Sequence, residues 1–408
     1  MVRYQPLDAA IDEIRLLQLM PGKAETPLRC HLITVSLQDS PTFEALSYVW
    51  GSPNIKTPIE VEGDPFPITT NLESALRALR RRRKSRLLWI DAICINQDDN
   101  AERSVQVPLM GSIYAGANCV VTWLGPSTPL IDRALSWVQT YRWKKPDSAS
   151  VDWLKLHVTA PFTRRARQEK ELAVYDTVEG FLDVFALPYW TRMWTFQEYC
   201  LPGVEPVCVC GTNVFSASAL AEAADVFMNR LIAALERSGS RFQRWRASEG
   251  GMSEDQEAYV KKVERRIDTI IVKNRSLRVE VAEEPEMMRN RWSEVRNPLF
   301  HLLVSTADRL CLDPRDKVYA IYGLVPAAQA VYPPDYTKPV EQVLAETTAY
   351  LINHESGPLY KKFGLRNDRL STVSYPSWVS CLHVPASRII KLPRVRITKG
   401  GERKLWKR

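Results

Sequence analysis

The chain of 408 residues contains no apolar run near the roughly 20 residues that a bilayer-spanning helix requires, so no membrane span is expected. Histidine is scarce. The five, at 31, 157, 301, 354 and 383, pair neither with a nucleophile nor with one another, which leaves a histidine-based hydrolase or zinc enzyme unsupported. The eight cysteines, at 30, 94, 119, 200, 208, 210, 311 and 381, form no Cys-x-x-Cys pair and have no histidine at finger-like spacing. Reduced, buried thiols and no metal site are therefore expected; Cys208 and Cys210, two apart on a strand, should share one side. A Walker-type Gly-x-x-x-x-Gly-Lys-Ser/Thr motif, an internal repeat, a coiled coil and a long low-complexity tract are all missing, which suggests a stand-alone unit. The opening Met1-Val2-Arg3-Tyr4-Gln5-Pro6 lacks the basic start and apolar region of a secretory leader, so a cytoplasmic location is expected.

What is present is the composition of a folded protein, 45% hydrophobic and 25% charged, long enough for two to three structural units at about 150 residues each. The net charge of +8 is concentrated in Arg80-Arg81-Arg82-Arg83-Lys84 and in a tail from Arg394 to Arg408. Such runs read as solvated faces or tails rather than a groove, and no nucleic-acid-binding motif accompanies them, so no nucleic-acid partner is expected.

Strands and helices alternate along the first half. Ile14 to Leu19 precedes a Pro21-Gly22 turn and an edge strand at Cys30–Leu37. Ala45-Leu46-Ser47-Tyr48-Val49-Trp50 reads as a buried strand that ends at Gly51. Thr70 or Asn71 can cap a helix carrying Leu72, Ala75, Leu76 and Leu79. Leu87 to Ile90 is a second strand, ending at Asp91 and the loop Cys94 to Asn100. A helix from Glu102 to Tyr114, with Val105, Leu109, Met110 and Ile113 inward, leads to a third strand, Cys119–Leu124. This order favours a parallel sheet covered by helices on both faces, with ligands bound beyond the strands' carboxyl ends. A helix is expected at Thr177 to Leu187, a second, capped by Thr191, through Glu198, and a strand at Val207 to Cys210. Further helices follow at about Ser216–Leu235, Glu254–Val272, Met287–Val304 and Val340–Ile352, and Asp313 to Leu324 reads as a turn leading into an apolar helix stopped by Gly323 and Pro326.

Three blocks resemble, in order, the fungal heterokaryon-incompatibility (HET) domain family: Phe43 to Gly51; Leu88 to Gln97 with Glu102, Arg103, Gln106 and Met110; and Tyr189 to Glu198. A fourth, Asp313 to Leu324, resembles an element that often follows them. The HET domain is itself similar to the Toll/interleukin-1 receptor (TIR) fold. The resemblance implies an α/β, TIR/flavodoxin-like parallel sheet flanked by helices, with a mainly helical C-terminal extension. Its layout would be a lead-in over 1–40, a TIR-like core over 41–211 with an insertion at about 142–176, a helical part over 212–355, and an extension with a basic tail over 356–408.

The spacing Trp194-x-x-x-Glu198 matches one on a TIR helix whose glutamate supports cleavage of NAD. Arg192 and Thr195 depart from the serine and cysteine usual there. The resemblance thus implies Glu198 as catalyst, with Ser47, Tyr48, Trp50, Gly51, Asp91, Asn96, Gln97 and Trp194 at the ligand, no required cofactor, and NAD as substrate. It also implies fungal non-self recognition and programmed cell death, self-association on activation, and an unknown protein trigger. The alternative is a non-catalytic module that self-associates and recruits a death effector. Each residue has a structural alternative as well. Glu198 can cap or salt-bridge its helix, the tryptophans can be core, and Asp91 can close an Asx turn. Glu102 and Arg103 can serve the helix dipole and a surface ion pair, and Asp313 and Asp316 can be turn and N-cap residues.

Overall fold

The computed structural model describes residues 4–23, 25–143, 176–227, 229 and 297–355. The expected helix over 254–272, the start of the one at Met287, the proposed insertion and the basic tail lie outside the described residues. Among the described residues nine strands form one sheet: β1 Glu13–Leu19, β2 Arg29–Ser36, β3 Glu44–Tyr48, β4 Lys56–Val61, β5 Asp64–Thr69, β6 Arg86–Trp89, β7 Cys119–Gly125, β8 Val207–Cys210 and β9 Asn213–Ser216. Their spatial order is β5-β4-β2-β1-β6-β3-β7-β8-β9.

The four strands β6, β3, β7 and β8 are mutually parallel. Numbered by their own sequence they run 2-1-3-4, the order of flavodoxin-like sheets, and place a topological switch point between β3 and β7. Around this core the sheet is antiparallel where hairpins extend it: β1 with β2 and β6, β4 with β5, β8 with β9. The expected α/β class holds, with a helical C-terminal region, but two placements differ. Arg29–Ser36 is no edge strand, because β1 pairs it on one side and β4 on the other. The β4/β5 hairpin, which carries prolines at 58, 65 and 67, was not foreseen; Pro65 and Pro67 lie on the outermost strand, where a missing N–H costs no ladder bond.

Helices cover both faces. In α1, Thr70–Leu79, the expected stripe Leu72, Ala75, Leu76 and Leu79 is buried, and the cap is Thr69, whose side chain accepts from the Leu72 N–H. Asn71 instead bridges elements: Nδ2 donates to the Val49 carbonyl at 2.6 Å and Oδ1 accepts from Trp123 Nε1 at 3.0 Å. After the single turn α2, Asp91–Cys94, comes α3, Asn100–Gly116, capped by Asp99. Met110 and Ile113 face inward as expected, but Val105 is 41% exposed and Gln106 takes the buried position, donating to the Glu13 carbonyl.

Glu102 makes no surface pair. It receives two bonds from Arg15 of β1, at 2.6 and 2.9 Å, while Arg15 is only 2% exposed. One apolar cluster, containing β1, β3, β6 and α1 side chains, includes Val209; a second, with α4 (Pro129–Trp143) and residues 176–186 and 217–227, includes Cys208 and Cys210. The alternation of a strand thus puts both cysteines on one face, as their spacing suggested. A third cluster joins Met193, Phe196 and Cys200 to the C-terminal helices Pro298–Ser305 and Val340–His354.

Candidate functional site

Glu198 lies on a short helix, Thr195–Cys200, that follows a 3-10 turn at Pro188–Thr191. Thr191 ends that turn, bonding the Pro188 carbonyl, rather than capping the next helix as expected. Its neighbour Thr195 donates to the Tyr189 or Arg192 carbonyl, so the chain between the two turns is fixed locally. The result brings the Glu198 carboxyl over β3 and β7 at the switch point. Ser47 Oγ donates to Glu198 Oε2 at 2.5 Å and lies 2.8 Å from the Tyr189 hydroxyl, which in turn is 3.2 Å from Thr122 Oγ1. Ser47 and Thr122 are register partners on adjacent strands. Tyr114, from α3, donates its hydroxyl to the Leu46 carbonyl at 3.2 Å, close to the Glu198 carboxyl.

Glu198 is 1% exposed. Burial pushes its carboxyl from 4.5 up to about 7; the nearby Asp91 charge adds to the rise, while Arg192, Ser47 and Tyr114 oppose it. Asp91 begins α2 at the end of β6. Trp50 Nε1 donates to its Oδ2 and the Ala92 N–H to its Oδ1, both at 2.8 Å. Burial raises this carboxyl too, against the Arg192 charge and those hydrogen bonds. The Arg192 guanidinium donates to the Tyr48 carbonyl and lies 5.8 Å from the Trp50 ring, while Trp50 itself is 37% exposed at the rim. The Tyr48 hydroxyl is buried near both acids and, among the described residues, has no partner in hydrogen-bond geometry.

Of the residues singled out by sequence, Ser47, Tyr48, Trp50, Asp91 and Glu198 therefore converge. Gln97 reaches only the Asp91 carbonyl, at 2.8 Å, and Asn96 turns into its own loop, accepting from the Asp98 N–H. Gly51 has φ +78°, so it supplies a left-handed turn after Trp50. The Trp194 side chain parts from Glu198: half-buried, it packs between the first and third clusters, near the Asp316 carboxyl. Asp316 also accepts from the Tyr336 hydroxyl at 2.7 Å and so is no simple cap, whereas Asp313 does close its turn, through the Arg315 N–H.

Sequence reasoning missed Tyr189, Thr122, Tyr114 and Arg192 as members of this cluster. Tyr189 and Arg192 stood in the third block and were the available signal; Thr122 and Tyr114 carried none. The C-terminal segment clamps the same region. Leu310 N–H donates to the Thr191 carbonyl at 2.6 Å, Met193 N–H to Leu310 at 2.8 Å, Arg309 Nη1 to the Arg192 carbonyl at 3.0 Å, and Gly323 N–H to Gln197 Oε1 at 3.2 Å. A small cleft beside the helix, lined by Tyr189, Phe196, Tyr199 and Arg309 among others, includes neither Glu198 nor Asp91.

This α/β sheet with its site at the switch point coincides with a family match: residues 43–198 fit the model described as Heterokaryon incompatibility protein (HET). The matched span begins with β3 and ends on Glu198, and contains the first three sequence blocks. Over 248 residues the chain is 32% identical to "Heterokaryon incompatibility protein 6, OR allele" of Neurospora crassa, an alignment covering 54% of this chain and 36% of that protein. The chain thus spans about a third of the length of this curated relative. No solved structure matches. Among the described residues no helix is long and apolar enough to cross a membrane.

Proposed function

We propose that this chain acts in heterokaryon-incompatibility-type non-self recognition and cell death, and that its 43–198 unit cleaves the nicotinamide–ribose bond of NAD with Glu198. The observation that supports this most is a buried carboxyl with a pKa near neutrality at the switch point of the parallel sheet. Breaking the bond leaves positive charge on the anomeric carbon; a carboxylate there stabilises the oxocarbenium-like transition state. The bonding electrons leave with nicotinamide, which departs neutral and needs no strong acid. Water adds to the anomeric carbon, giving ADP-ribose and one proton. Trp50 offers a partly exposed plane for a base, and the Tyr48 hydroxyl an unused donor. Cytoplasmic location, self-association and a protein trigger belong to this reading.

A second reading is favoured by the enclosure of Glu198: a non-catalytic module that self-associates, with Glu198 tying helix to sheet. Nicotinamide release by the full chain, free and chemically linked into dimers, separates the two. Release by wild type that disappears in Glu198→Gln and Glu198→Ala supports the enzyme. No release by either wild-type form, or equal release by the variants, leaves the module.

A further inference from the structure

The segment between the two turns carries a cation that the chemistry above does not use. Arg192 is fixed on four sides: its N–H bonds the Tyr189 carbonyl, its carbonyl accepts from Arg309 at 3.0 Å, its backbone bridges to Leu310, and its guanidinium donates to the Tyr48 carbonyl beneath Trp50. Among the described residues that is its only side-chain hydrogen bond, so its charge reaches Glu198 and Asp91 without covering the oxygens of either. We propose that Arg192 is a positioning residue of this site, a cation held on the Tyr48 carbonyl beside Trp50 and its partner Asp91 that favours Glu198 as a carboxylate; this rests on the reading of Glu198 as the reacting group.

The groups facing Glu198 are few. Ser47 and Tyr48 come from β3, Asp91 from α2, Tyr114 from α3, and Tyr189 and Arg192 from the segment preceding its own helix. The three tyrosines remain neutral, since burial raises each hydroxyl above its ordinary value. Arg192 is therefore the one cation among them and Asp91 the one other anion, and they act on Glu198 in opposite directions. A guanidinium bonded directly to Glu198 would occupy the oxygens that must meet the anomeric carbon. Held by Tyr48 instead, it favours the charged form and leaves the carboxylate unobstructed.

The test titrates Glu198 in the full chain labelled with carboxyl-13C glutamate, the signal being assigned by its loss in Glu198→Gln. Arg192→Gln, or Arg192→Met should the first not fold, is expected to move the midpoint up by about one pH unit, a tenfold change. Arg192→Lys keeps the charge and should stay within about 0.3 pH unit of wild type, and Asp91→Asn should move it down. The proposal is overturned if a folded neutral variant titrates like wild type, if Arg192→Lys is displaced as far as the neutral variant, if Asp91→Asn moves the midpoint up or leaves it in place, or if neither neutral variant folds. Where wild type releases nicotinamide, the acidic limb of the pH profile follows the same order. A chain whose Glu198 responds as stated but releases no nicotinamide refutes the NAD reading and leaves the role of Arg192 standing.

Discussion

Replacing Glu198 by glutamine should stabilise the protein, and do so in a pH-dependent way. A carboxyl whose pKa rises from 4.5 in the unfolded chain to about 7 when folded is disfavoured in its charged form. At about 1.4 kcal/mol per tenfold change in proton affinity, the penalty is about 3 kcal/mol. Its sign follows from the proton count. Below about pH 4.5 both states hold the proton and there is no penalty. Between 4.5 and about 7 the unfolded chain releases it first, so wild type loses stability as pH rises; above about 7 the loss is complete. Glutamine keeps the shape and an acceptor for Ser47 but does not ionise. Denaturant unfolding at pH 5 and pH 8 reads the effect: the stability of Glu198→Gln relative to wild type should grow by about 2.5 kcal/mol across that interval, the remainder being already present at pH 5. Parallel pH dependences, within about 0.5 kcal/mol, would refute the reasoning. A variant that is more stable and has lost nicotinamide release is the signature of a group kept for function at the expense of stability.

Arg15→Met should cost about 3–5 kcal/mol in unfolding measurements, because it leaves Glu102 enclosed without its cation, and the added change Glu102→Leu should recover most of that loss. A single-variant cost below about 1 kcal/mol would mean that Glu102 reaches water in the variant. Gly180→Ala should weaken the packing of residues 176–186 on Pro129–Trp143, since a Cβ there would come 2.1 Å from the Leu130 carbonyl oxygen. The expected cost is about 1–3 kcal/mol or more, measured by thermal or denaturant unfolding; a stabilised variant, the usual result of glycine to alanine on an open helix face, would show the contact to be absent.

The sequence by itself determined the elements whose pattern is local. The run Ala45 to Tyr48 is apolar enough to be a strand covered on both faces, Leu72, Ala75, Leu76 and Leu79 repeat with a helix's period, and Glu198 was legible through the third block. The tertiary structure decided what depends on long-range pairing. Nothing local says that β1 will wedge beside β6 and turn Arg29–Ser36 into an interior strand, or that two prolines will sit harmlessly on an edge. The site shows the same division. Trp194 and Glu198 are four residues apart, yet the indole packs between the first and third clusters while Glu198 accepts from Ser47, because the C-terminal segment supplies the neighbours of the indole. Sequence spacing supplied the carboxyl. Burial under β3 and β7, and the charges of Arg192 and Asp91 brought from separate segments, gave it a near-neutral pKa, since desolvation and Coulomb energies depend on distances in space rather than along the chain.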